Sequence, residues 1–345
     1  MRHALRVEPF PDDAGPRWDA RVRALDGSTL AHPWGWREVM EDVLGHETLY
    51  LHAVDDAGAT AGVLPLVHVK SRLFGDYLLS MPFLSYGGPL GPEAARGALA
   101  ARAVEEARAR GVDLMELRAR ARVPGDLAVS DRKLTVLLPL VDSAETLWEK
   151  GLRAKVRSQV RRPMKEGMTA RFGPELVEPF YDVFAHTMRD LGTPVLGKRF
   201  FERLVRVFPD EVVFAVVEHR GAAAAAGCGF LWNGELEITW AGARRELSRQ
   251  APNMLLYWSL MEEAICRGAH TFNFGRCSPG SGTHRFKRQW GGEDVPLPWA
   301  QWSPTGVAAT PSPDGARYRL ATAVWSRLPV PLTRALGPLL SRSLP

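Results

Sequence analysis

The sequence predicts a two-domain α/β (α+β) protein in which each domain is a mixed, twisted sheet flanked by helices. The chain has 345 residues, more than the roughly 100–200 of a usual single domain. Segments with strand-like and helix-like apolar spacing alternate along it. Their order, a strand, helices, several strands, a helix and further strands, occurs in residues 1–141 and again in residues 142–302. The repetition concerns element order alone.

Residues 1–141 form the first predicted domain. HALRVEP is a strand, and Trp18, Val22 and Leu25 recur at helical spacing in the segment that follows. A turn containing Gly58 joins two apolar strands, ETLYLHAV and TAGVLPLVHVKS, into a hairpin. The other predicted elements are the short helix HPWGWREVMEDVL, the strand DYLLSMPFL, the helix AARGALAARAVEEARARG and the strands VDLMELRAR and KLTVLLPL.

Residues 142–302 form the second predicted domain, and residues 303–345 form a linker followed by a basic amphipathic tail. One long helix, SAETLWEKGLRAKVRSQVRRPMKEG, opens the second domain. Further elements are the strand TARFG, the helices ELVEPFYDVFAHTMRDLG and KRFFERLVRVF, the strands VVFAVVEH, AAAAAGCGFLWNG and ELEITWAGA, the helix APNMLLYWSLMEEAICRG and the strand HTFNFG. SPTGVAATPSPDG has the composition of a linker.

Composition and the N-terminus predict a cytoplasmic protein with reduced thiols. No apolar run approaches the ~20 residues of a membrane span. The first residues, MRHALRVEPFPDD, lack the apolar core of a secretory signal. Cys228, Cys266 and Cys277 are an odd number at wide spacing, which suits neither a disulfide framework nor a zinc site. We therefore expect no bound metal.

Positive charge is concentrated in KGLRAKVRSQVRRPMK, which holds seven cations and no acid in sixteen residues. A solvent-exposed helix usually interleaves acids and bases at i,i+4, whereas this one repels itself. An anionic partner, such as tRNA, a diphosphate or an anionic lipid, would relieve the repulsion. The alternative is an ordinary solvated helix face. The candidate anion-binding residues are Lys155, Arg157, Arg161 and Arg162.

The stretch NFGRCSPGSGTHRFKRQWGG follows a predicted strand and raises three interpretations. A phosphate-cradling Walker loop needs Lys and then Ser or Thr after its second glycine, but Ser281 and Gly282 stand there. Cys277 lacks a nearby base to activate it, so we expect it to be a bystander. The remaining interpretation is a glycine-rich loop that brings backbone N–H groups and cations to an oxyanion or phosphate, with a solvated basic turn as the alternative. Its candidate residues are Arg276, Arg285, Phe286, Lys287 and Arg288.

Two predicted helix starts are further candidate anion sites. Tyr86, Gly87 and Gly88 lie in SYGGPLGPEA, directly before the alanine-rich helix of the first domain. Backbone N–H groups at a helix N-terminus bind anions. A tight connection between strand and helix is the alternative reading of these glycines. In the second domain the corresponding segment, RRELSRQAPN, has no glycine pair, and Asn253 stands at the helix start.

Five segments together resemble the FemAB-like branch of the GNAT superfamily, and within it the FemAB-like proteins associated with exosortase (PEP-CTERM) exopolysaccharide systems. They are HPWGW, KVRSQVRRPMKEG, DLGTPVLGKRFFERL, APNMLLYWSLMEEA and NFGRCSPGSGTHRFKRQWGGEDVPLPW. The resemblance extends over nearly the whole chain. It implies two tandem GNAT-like acyl-CoA N-acyltransferase domains, with no tightly bound cofactor and with acyl-CoA or aminoacyl-tRNA as cosubstrate.

The resemblance also implies roles for two residues. Fem enzymes carry an R-F-K-x-x-[FW]-G element whose lysine supports the tetrahedral oxyanion, and Lys287 matches that lysine. Phe286 matches the adjoining aromatic residue. The helical insertion with which Fem enzymes hold tRNA has no counterpart here, because the only long basic helix is a single one. The identity of the donor therefore stays open.

These observations predict an N-acyl- or aminoacyl-transferase acting on an amine of a cell-envelope or exopolysaccharide precursor. The alternative is a non-catalytic protein of the same fold that docks on membrane or polysaccharide machinery. We also expect the tail GARYRLATAVWSRL to lie on the inner membrane surface, which would make the protein peripheral. Read as a helix, it places Tyr318, Ala321, Trp325 and Leu328 together. A tail that packs on its own domain is the alternative.

Overall fold

The computed structural model of the protein describes residues 5–72, 74–306 and 316–344. These residues form two units, one built from the described parts of 1–133, 296–312 and 343–345, the other from those of 134–295 and 313–342. Each unit contains a mixed sheet of seven strands. Sheets with helices beside them are what the sequence predicts.

The bounds of the described elements are as follows. The strands are β1 (Arg6–Pro9), β2 (Glu47–Val54), β3 (Thr60–Ser71), β4 (Gly75–Leu79), β5 (Leu114–Leu117), β6 (Ala128–Ser130), β7 (Leu134–Pro139), β8 (Thr169–Phe172), β9 (Val212–His219), β10 (Ala222–Trp232), β11 (Glu235–Ala243), β12 (Thr271–Cys277), β13 (Glu293–Pro296) and β14 (Trp299–Trp302). The helices are α1 (Gly15–Ala24), α2 (Trp36–Glu38), α3 (Glu93–Arg110), α4 (Ala144–Thr146), α5 (Ala154–Lys165), α6 (Val177–Asp190), α7 (Lys198–Val207), α8 (Pro252–Cys266), α9 (Gly282–Arg288), α10 (Ala316–Trp325) and α11 (Val330–Ser341).

The sheet of the first unit has the strand order β1-β2-β3-β4-β5-β14-β6. Neighbouring strands are antiparallel except β4 and β5, which the crossover helix α3 joins in parallel. A stripe of apolar residues on α3, Ala95, Leu99, Ala103 and Ala107, is buried against the sheet. Gly111 ends the helix in the left-handed conformation, at φ 66°, which glycine adopts without steric cost.

The sheet of the second unit has the order β13-β7-β12-β11-β10-β9-β8. Helix α8 crosses over between the parallel strands β11 and β12. Most of it is buried because it lies between the sheet and α5, whereas Cys266 at its end is exposed. Helices α6 and α7 bring an aromatic cluster to the sheet, in which Phe180, Phe184 and Phe201 are in mutual ring contact. The described unit is therefore a helix, sheet, helix sandwich.

Sheet membership differs from the domain boundaries expected at 141 and 302. Strand β7, which the sequence assigned to the first domain, pairs with β12 of the second sheet. Strand β14, assigned to the second domain, pairs with β5 and β6 of the first sheet. Each sheet thus receives a strand from a segment next to the predicted boundary. Strand periodicity identifies a strand but not its distant partner, which is why the boundaries differ.

Two further elements differ from the sequence-based prediction. The long helix predicted before Gly167 is broken, since α4 and a π-helical turn, Leu147–Gly151, end before α5 begins. Leu152 and Arg153 have extended backbone there. The tail predicted after residue 303 contains the helices α10 and α11, grouped with the second unit. Residues 307–315, including part of the predicted linker, lie outside the described residues.

Candidate functional site

The second unit opens a cleft where two parallel strands separate. Pairing between β11 and β12 covers three residue pairs and ends at Glu237 and Asn273, although β11 continues to Ala243 and β12 to Cys277. Gly275 has φ 70°, and a Cβ there would collide with the carbonyl oxygen of Ile238. Glycine is therefore required where β12 leaves β11.

Strand β11 carries a bulge at the point of separation. Cys228 on β10 is opposite Trp240, and the next residue, Gly229, is opposite Ile238, so Thr239 is the extra residue on β11. A bulge increases local twist and re-aims the backbone that follows it, and bulges are frequent beside active sites. Here it directs Ala241–Ala243 along one wall of the cleft.

The cleft has a volume of about 740 Å³. Its walls are the end of β11 and the segment after it, the first turn of α8, the last turn of α6, one residue of α5 and the end of α9. The lining residues are Gln159, Thr187, Asp190, Leu191, Ala241, Gly242, Ala243, Arg244, Arg245, Ser248, Ala251, Pro252, Asn253, Met254, Phe286 and Gln289. Two of the predicted site residues, Asn253 and Phe286, meet here.

The first turn of α8 lines the cleft. Ala251 precedes the helix in the left-handed conformation, at φ 57° and ψ 47°, and Pro252 occupies the first helical position. Proline is favoured there because that N–H has no partner within a helix. The sequence lacks the glycine pair expected at this turn, and an alanine adopts the glycine-like conformation instead. The partial positive charge of the helix end stabilises a bound anion.

Helix α9 forms the opposite wall, and the residues of the predicted glycine-rich loop hold it in place. The Ser281 hydroxyl accepts a hydrogen bond from the His284 N–H at 3.1 Å and caps the helix. The His284 ring nitrogens contact the Gly280 N–H and the Asp294 carboxylate, at 3.0 and 2.9 Å. Phe286 packs edge-to-face on Tyr257, with 5.0 Å between ring centres, and presents its side chain to the cleft.

Lys287 is buried, with 4% of its surface exposed. Its Nζ donates to the carbonyl oxygens of Gly275 and Arg276, at 2.7 and 2.9 Å. Burial lowers the pKa of Lys287 to about 8, against a weaker opposite effect of Cys277 and Glu237. The ammonium group therefore holds the backbone of β12 where it leaves β11, next to Phe286 in sequence but outside the set of cleft-lining residues.

The three arginines predicted beside Lys287 lie outside the cleft lining. Arg285 donates to the Gly280 carbonyl at 2.7 Å. Arg288 donates to the Gly292 carbonyl and lies 3.5 Å from the Asp294 carboxylate. Arg276 is half-buried and accepts the second Lys287 bond through its carbonyl. Arg285 and Arg288 thus stabilise the loops around α9.

The basic run on α5 divides into two groups. Arg157 Nη1 donates to the carbonyls of Trp148, Glu149 and Leu152, at 3.0, 3.0 and 2.6 Å, and so caps the helical turn before α5. Arg161 lies over the Trp148 ring at 5.1 Å. Lys155 and Arg162 are exposed. The helix reaches the cleft through a residue that the sequence reasoning missed, Gln159.

The side-chain oxygen of Gln159 is a buried hydrogen-bond acceptor without a partner among the described residues. Its Oε1 is buried and makes no hydrogen bond within the described part of the chain. A buried polar atom of this kind is expected to bind a ligand or water group. In the sequence, Gln159 is an uncharged residue within a run of cations, and residue type alone does not indicate that its side-chain oxygen is buried. The rule that ligands bind at the carboxyl ends of parallel strands would have identified the opposite wall at Ala241–Asn253.

The first unit gathers the other predicted residues in a smaller cleft of about 280 Å³, lined by Tyr86, Gly87 and Gly88 with Arg96 and Arg120. The Arg120 guanidinium lies 4.3 Å over the Tyr86 ring. Gly88 passes so close to the next strand that a Cβ would lie 2.7 Å from that of Ala119. The three predicted residues therefore share one cationic cleft.

A buried histidine helps to fix this glycine turn. His32 Nε2 contacts the Gly88 carbonyl at 2.9 Å, and the Gly88 N–H donates to the Arg118 carbonyl at 2.8 Å. Burial lowers the pKa of His32 to about 4, so the ring is neutral at physiological pH and donates from Nε2 to the carbonyl. The hydrogen bond to Gly88 therefore explains the buried position of His32 by a structural role.

Residues 150–288 match the family described as Acetyltransferase (GNAT) domain. The matched segment contains every residue of the larger cleft except Gln289. The second unit therefore contains a segment that matches an acyltransferase domain of the GNAT kind. No curated protein matches the chain.

Solved structures support the same fold for most of the chain. A structure of FemX is similar with a TM-score of 0.65 at 14% identity, covering 86% of this chain and 97% of that one. The C-terminal domain of a putative lysylphosphatidylglycerol synthetase from Agrobacterium fabrum gives 0.58 at 14% identity, covering 90% and 95%. A tandem GNAT protein from the clavulanic acid biosynthesis pathway gives 0.51 at 13% identity, covering 87% and 98%.

The comparisons confirm the predicted fold of two tandem GNAT-like domains with mixed sheets flanked by helices. They identify an acyltransferase as the class of enzyme. Within the described ranges, every helix is too short or too polar to cross a membrane.

Proposed function

We propose that the protein is a FemAB-like N-acyl- or aminoacyl-transferase that acts in the cytoplasm on an amine of a cell-envelope or exopolysaccharide precursor. The observation that carries the proposal is the cleft between the end of β11, the first turn of α8 and α9. It lies where the parallel strands separate and almost entirely within the segment that matches an acetyltransferase domain. The alternative of a purely non-catalytic docking protein leaves this cleft without a use. The proposed exosortase-associated branch rests on the five sequence segments.

The cleft offers two features for an activated donor. The edge of Ala241–Ala243 provides peptide groups beyond the end of pairing with β12, which suit an amide-bearing thioester arm. The start of α8 suits the donor's phosphate, with Arg245 exposed at the same wall. Both acyl-CoA and aminoacyl-tRNA carry a carbonyl and a phosphate. The donor is therefore one of these two activated esters.

The reaction requires no covalent enzyme intermediate. The amine lone pair attacks the donor carbonyl carbon, and the carbonyl π electrons form a tetrahedral oxyanion. Collapse of that intermediate restores the carbonyl and expels the CoA thiolate or the tRNA ribose oxygen, while the nitrogen loses one proton. Water passes the proton lost by the nitrogen to the expelled group, so the products are the amide and a free CoA thiol or tRNA hydroxyl. Stabilising the developing negative charge is the main task of such a site.

Three residues are proposed to serve this chemistry. Gln159 accepts a hydrogen bond from the attacking amine through its buried Oε1. Phe286 forms an apolar wall beside the acyl group. Lys287 is a positioning residue that holds the β12 carbonyls and contributes a buried positive charge beside Phe286. The structure supports this indirect role because the Lys287 ammonium contacts main-chain carbonyls.

Anionic parts of the substrates are proposed to bind at two other places. The cationic cleft of the first unit, with Arg96 and Arg120 beside Gly87 and Gly88, suits a phosphate of the acceptor. Lys155 and Arg162 are exposed on α5 and suit the outer part of the donor. Arg157 and Arg161, predicted for the same task, instead contact Trp148 and its neighbours.

The test compares envelope precursors from cells with and without the protein. Mass spectrometry is expected to show one acyl or aminoacyl increment missing in the deletion strain and restored by the wild-type chain. Gln159→Leu should fail to restore it, whereas Ser158→Ala, its exposed neighbour outside the cleft lining, should restore it fully. An unchanged precursor set in the deletion strain would contradict the proposal. Supplying purified protein with acyl-CoA or charged tRNA then identifies the donor.

A further inference from the structure

The two C-terminal helices expose a large share of the aliphatic surface of the described chain. Of the nine exposed large hydrophobic side chains among the described residues, five lie on α10 and α11. They are Leu320, Val324, Leu332, Leu336 and Leu339, between 40% and 67% exposed. The two helices contain only 22 residues. An exposed apolar patch of this kind marks an interaction surface.

Helix α11 has its apolar side outward and its small and polar side inward. Leu332, Leu336 and Leu339 follow one another at i, i+4 and i+7 and are exposed. The inward positions include Thr333, which is buried. Ser341 is also buried, and its hydroxyl donates to the Val195 carbonyl at 3.1 Å. A helix that only covers its own domain shows the reverse arrangement.

Specific contacts hold α11 in this orientation. The Arg334 guanidinium lies 3.3 Å from the Glu178 carboxylate and 3.5 Å from that of Asp182. It also lies 4.9 Å over the Tyr181 ring. A Cβ on Gly337 would lie 2.9 Å from the Val195 carbonyl, so that face approaches too closely for a larger side chain. Rotating the helix to bury its leucines would break these contacts.

The exposed face is also cationic. No Asp or Glu occurs between Gly315 and the C-terminus, whereas Arg319, Arg327 and Arg342 are exposed. An apolar helix face with arginines around it and no acids suits the interface of an anionic lipid surface. The predicted membrane-facing residues Trp325 and Leu328 are half-buried, and Leu320 and Val324 are exposed in their place.

The helix pair adjoins the mouth of the larger cleft in the same unit. Arg189 near the end of α6 donates to the Leu328 carbonyl at 3.3 Å. Gly192 touches α10 so closely that a Cβ would lie 2.6 Å from the Thr322 carbonyl oxygen. Between them stands Leu191, which is 65% exposed and lines the cleft. The end of α6 therefore connects the exposed apolar face to the cleft.

We propose that α10 and α11 dock the protein on an anionic lipid surface, with their leucines among the acyl chains and their arginines at the lipid phosphates. Docking by this face brings the mouth of the cleft, at Leu191, next to the membrane. It follows that the acceptor amine belongs to a membrane-held molecule. That consequence rests on the proposed acyl transfer, whereas docking itself does not.

Co-sedimentation of the full-length protein with vesicles tests the docking. At low salt, the wild type should bind vesicles that are about one-third phosphatidylglycerol and not vesicles of phosphatidylcholine alone. The triple variant Leu332→Ser, Leu336→Ser, Leu339→Ser should bind at least about tenfold more weakly, since three aliphatic side chains lose their insertion. Val129→Ser, Val141→Ser, Met164→Ser is the matched control, because these side chains are comparably exposed outside α10 and α11. Thermal unfolding verifies that both variants fold.

Equal binding by the two triple variants, or no binding by the wild type, would overturn the proposal. Light scattering tests whether the same face instead mediates self-association. A dimer that is abolished by the Leu332, Leu336, Leu339 variant and not by the control variant would likewise overturn the docking proposal. An environment-sensitive dye on Leu191→Cys, in a Cys266→Ser background, should respond to vesicles, while one on Met164→Cys should not. Vesicle binding without any transfer activity would refute the proposed function and leave the docking intact.

Discussion

The two units have the same parallel strand pair and use the space beyond it differently. In the first unit β4 and β5 pair over three residues, as β11 and β12 do in the second. After β4 the chain turns back to β5, where the Ser80 and Gly88 N–H groups donate to the carbonyls of Glu116 and Arg118. After β11 the chain turns away, and the Arg244 N–H donates to Ala224 on β10.

Beyond each parallel strand pair lies a gap between the two strands. The turn that follows the first strand of the pair, β4 or β11, determines whether this gap is filled or open. Arg118 holds the filling loop in the first unit, donating to the carbonyls of Met81 and Leu84 at 3.3 and 3.2 Å. Met81 and Phe83 have positive φ angles of 56° and 71°, so the loop is strained and needs this support. A shared topology supplies the gap in both units, and a few loop residues determine which gap stays open.

The largest effect is expected when the support of the closed gap is removed. Arg118 is paired with Glu116 at 2.9 Å, and both are buried. Arg118→Met leaves the buried Glu116 carboxylate without its counter-ion, although Gln301 still donates to it at 2.6 Å, and should lower the free energy of unfolding by about 3–5 kcal/mol. Denaturant unfolding measures this change, and the exposed Arg122→Met is the control. If Arg118→Met lowers the free energy of unfolding no more than Arg122→Met does, the Arg118–Glu116 pair does not hold the loop.

The next effect concerns the open gap. Lys287→Met removes the cation that holds β12 and should lower kcat by about 10²-fold, the loss that a displacement of about 1 Å in a site can cause. It should also cost roughly 1–3 kcal/mol of stability, since two carbonyls lose their donor. Steady-state kinetics and denaturant unfolding measure the two effects. A fully active variant would refute the role of Lys287.

The lowered pKa of Lys287, about 8 against an ordinary 10.5, predicts opposite pH trends. The unfolded chain holds more protons on this group between the two values, so the free energy of unfolding should rise with pH from about 8 to 10.5, by on the order of 1–3 kcal/mol. Activity should fall above pH 8 as the cation is lost. The difference between the wild type and Lys287→Met isolates the contribution of Lys287 to both pH dependences. Identical pH profiles of unfolding free energy in the two proteins would contradict the lowered pKa of Lys287.

A smaller effect is expected on the outer surface of the second unit. Lys155→Glu with Arg162→Glu should raise KM severalfold at low salt and leave kcat unchanged, because a distant anion binds ground and transition states equally. Arg157→Glu should instead lower stability through loss of its three carbonyl contacts. An unchanged KM in the double variant would exclude these exposed cations from donor binding.

The smallest effect is expected at Cys277. The cysteine is buried and the proposed reaction uses no thiolate, so Cys277→Ser should retain most of the activity. Kinetics of the purified variant provide the measurement. If the serine variant is inactive while Lys287→Met is active, the stretch around Gly275 is a cysteine site instead.

Local patterns in the sequence predict much of the fold. Periodicity identifies the order of elements in both units. The glycine turn at Gly87 and Gly88 lines a cleft with Arg96 and Arg120, and anion binding there stays a prediction. Long-range pairing is not encoded in periodicity, so the placement of β7 and β14 in the opposite sheets was not anticipated. The break at Leu152, which depends on tertiary packing, also escaped the reading of one long helix.

The site residues also divide into those that local sequence patterns predict and those that depend on tertiary packing. Asn253 and Phe286 were predicted and line the larger cleft, because helix starts and aromatic motifs are visible in sequence. Gln159 was missed, since its importance depends on burial rather than residue type. The outward leucines of α11 were missed because helical periodicity shows a face but not which side packs inward.

Hydrogen exchange of the full-length protein, with and without acyl-CoA or charged tRNA, tests most directly which gap binds the donor. We expect one of these donors to protect the peptides covering Ala241–Met254, at the end of β11 and the start of α8. Peptides covering residues 80–91 should show no donor-dependent protection, because the loop already fills the gap of the first unit. Protection of residues 80–91 in place of Ala241–Met254 would contradict the assignment, and so would an absence of protection by either donor.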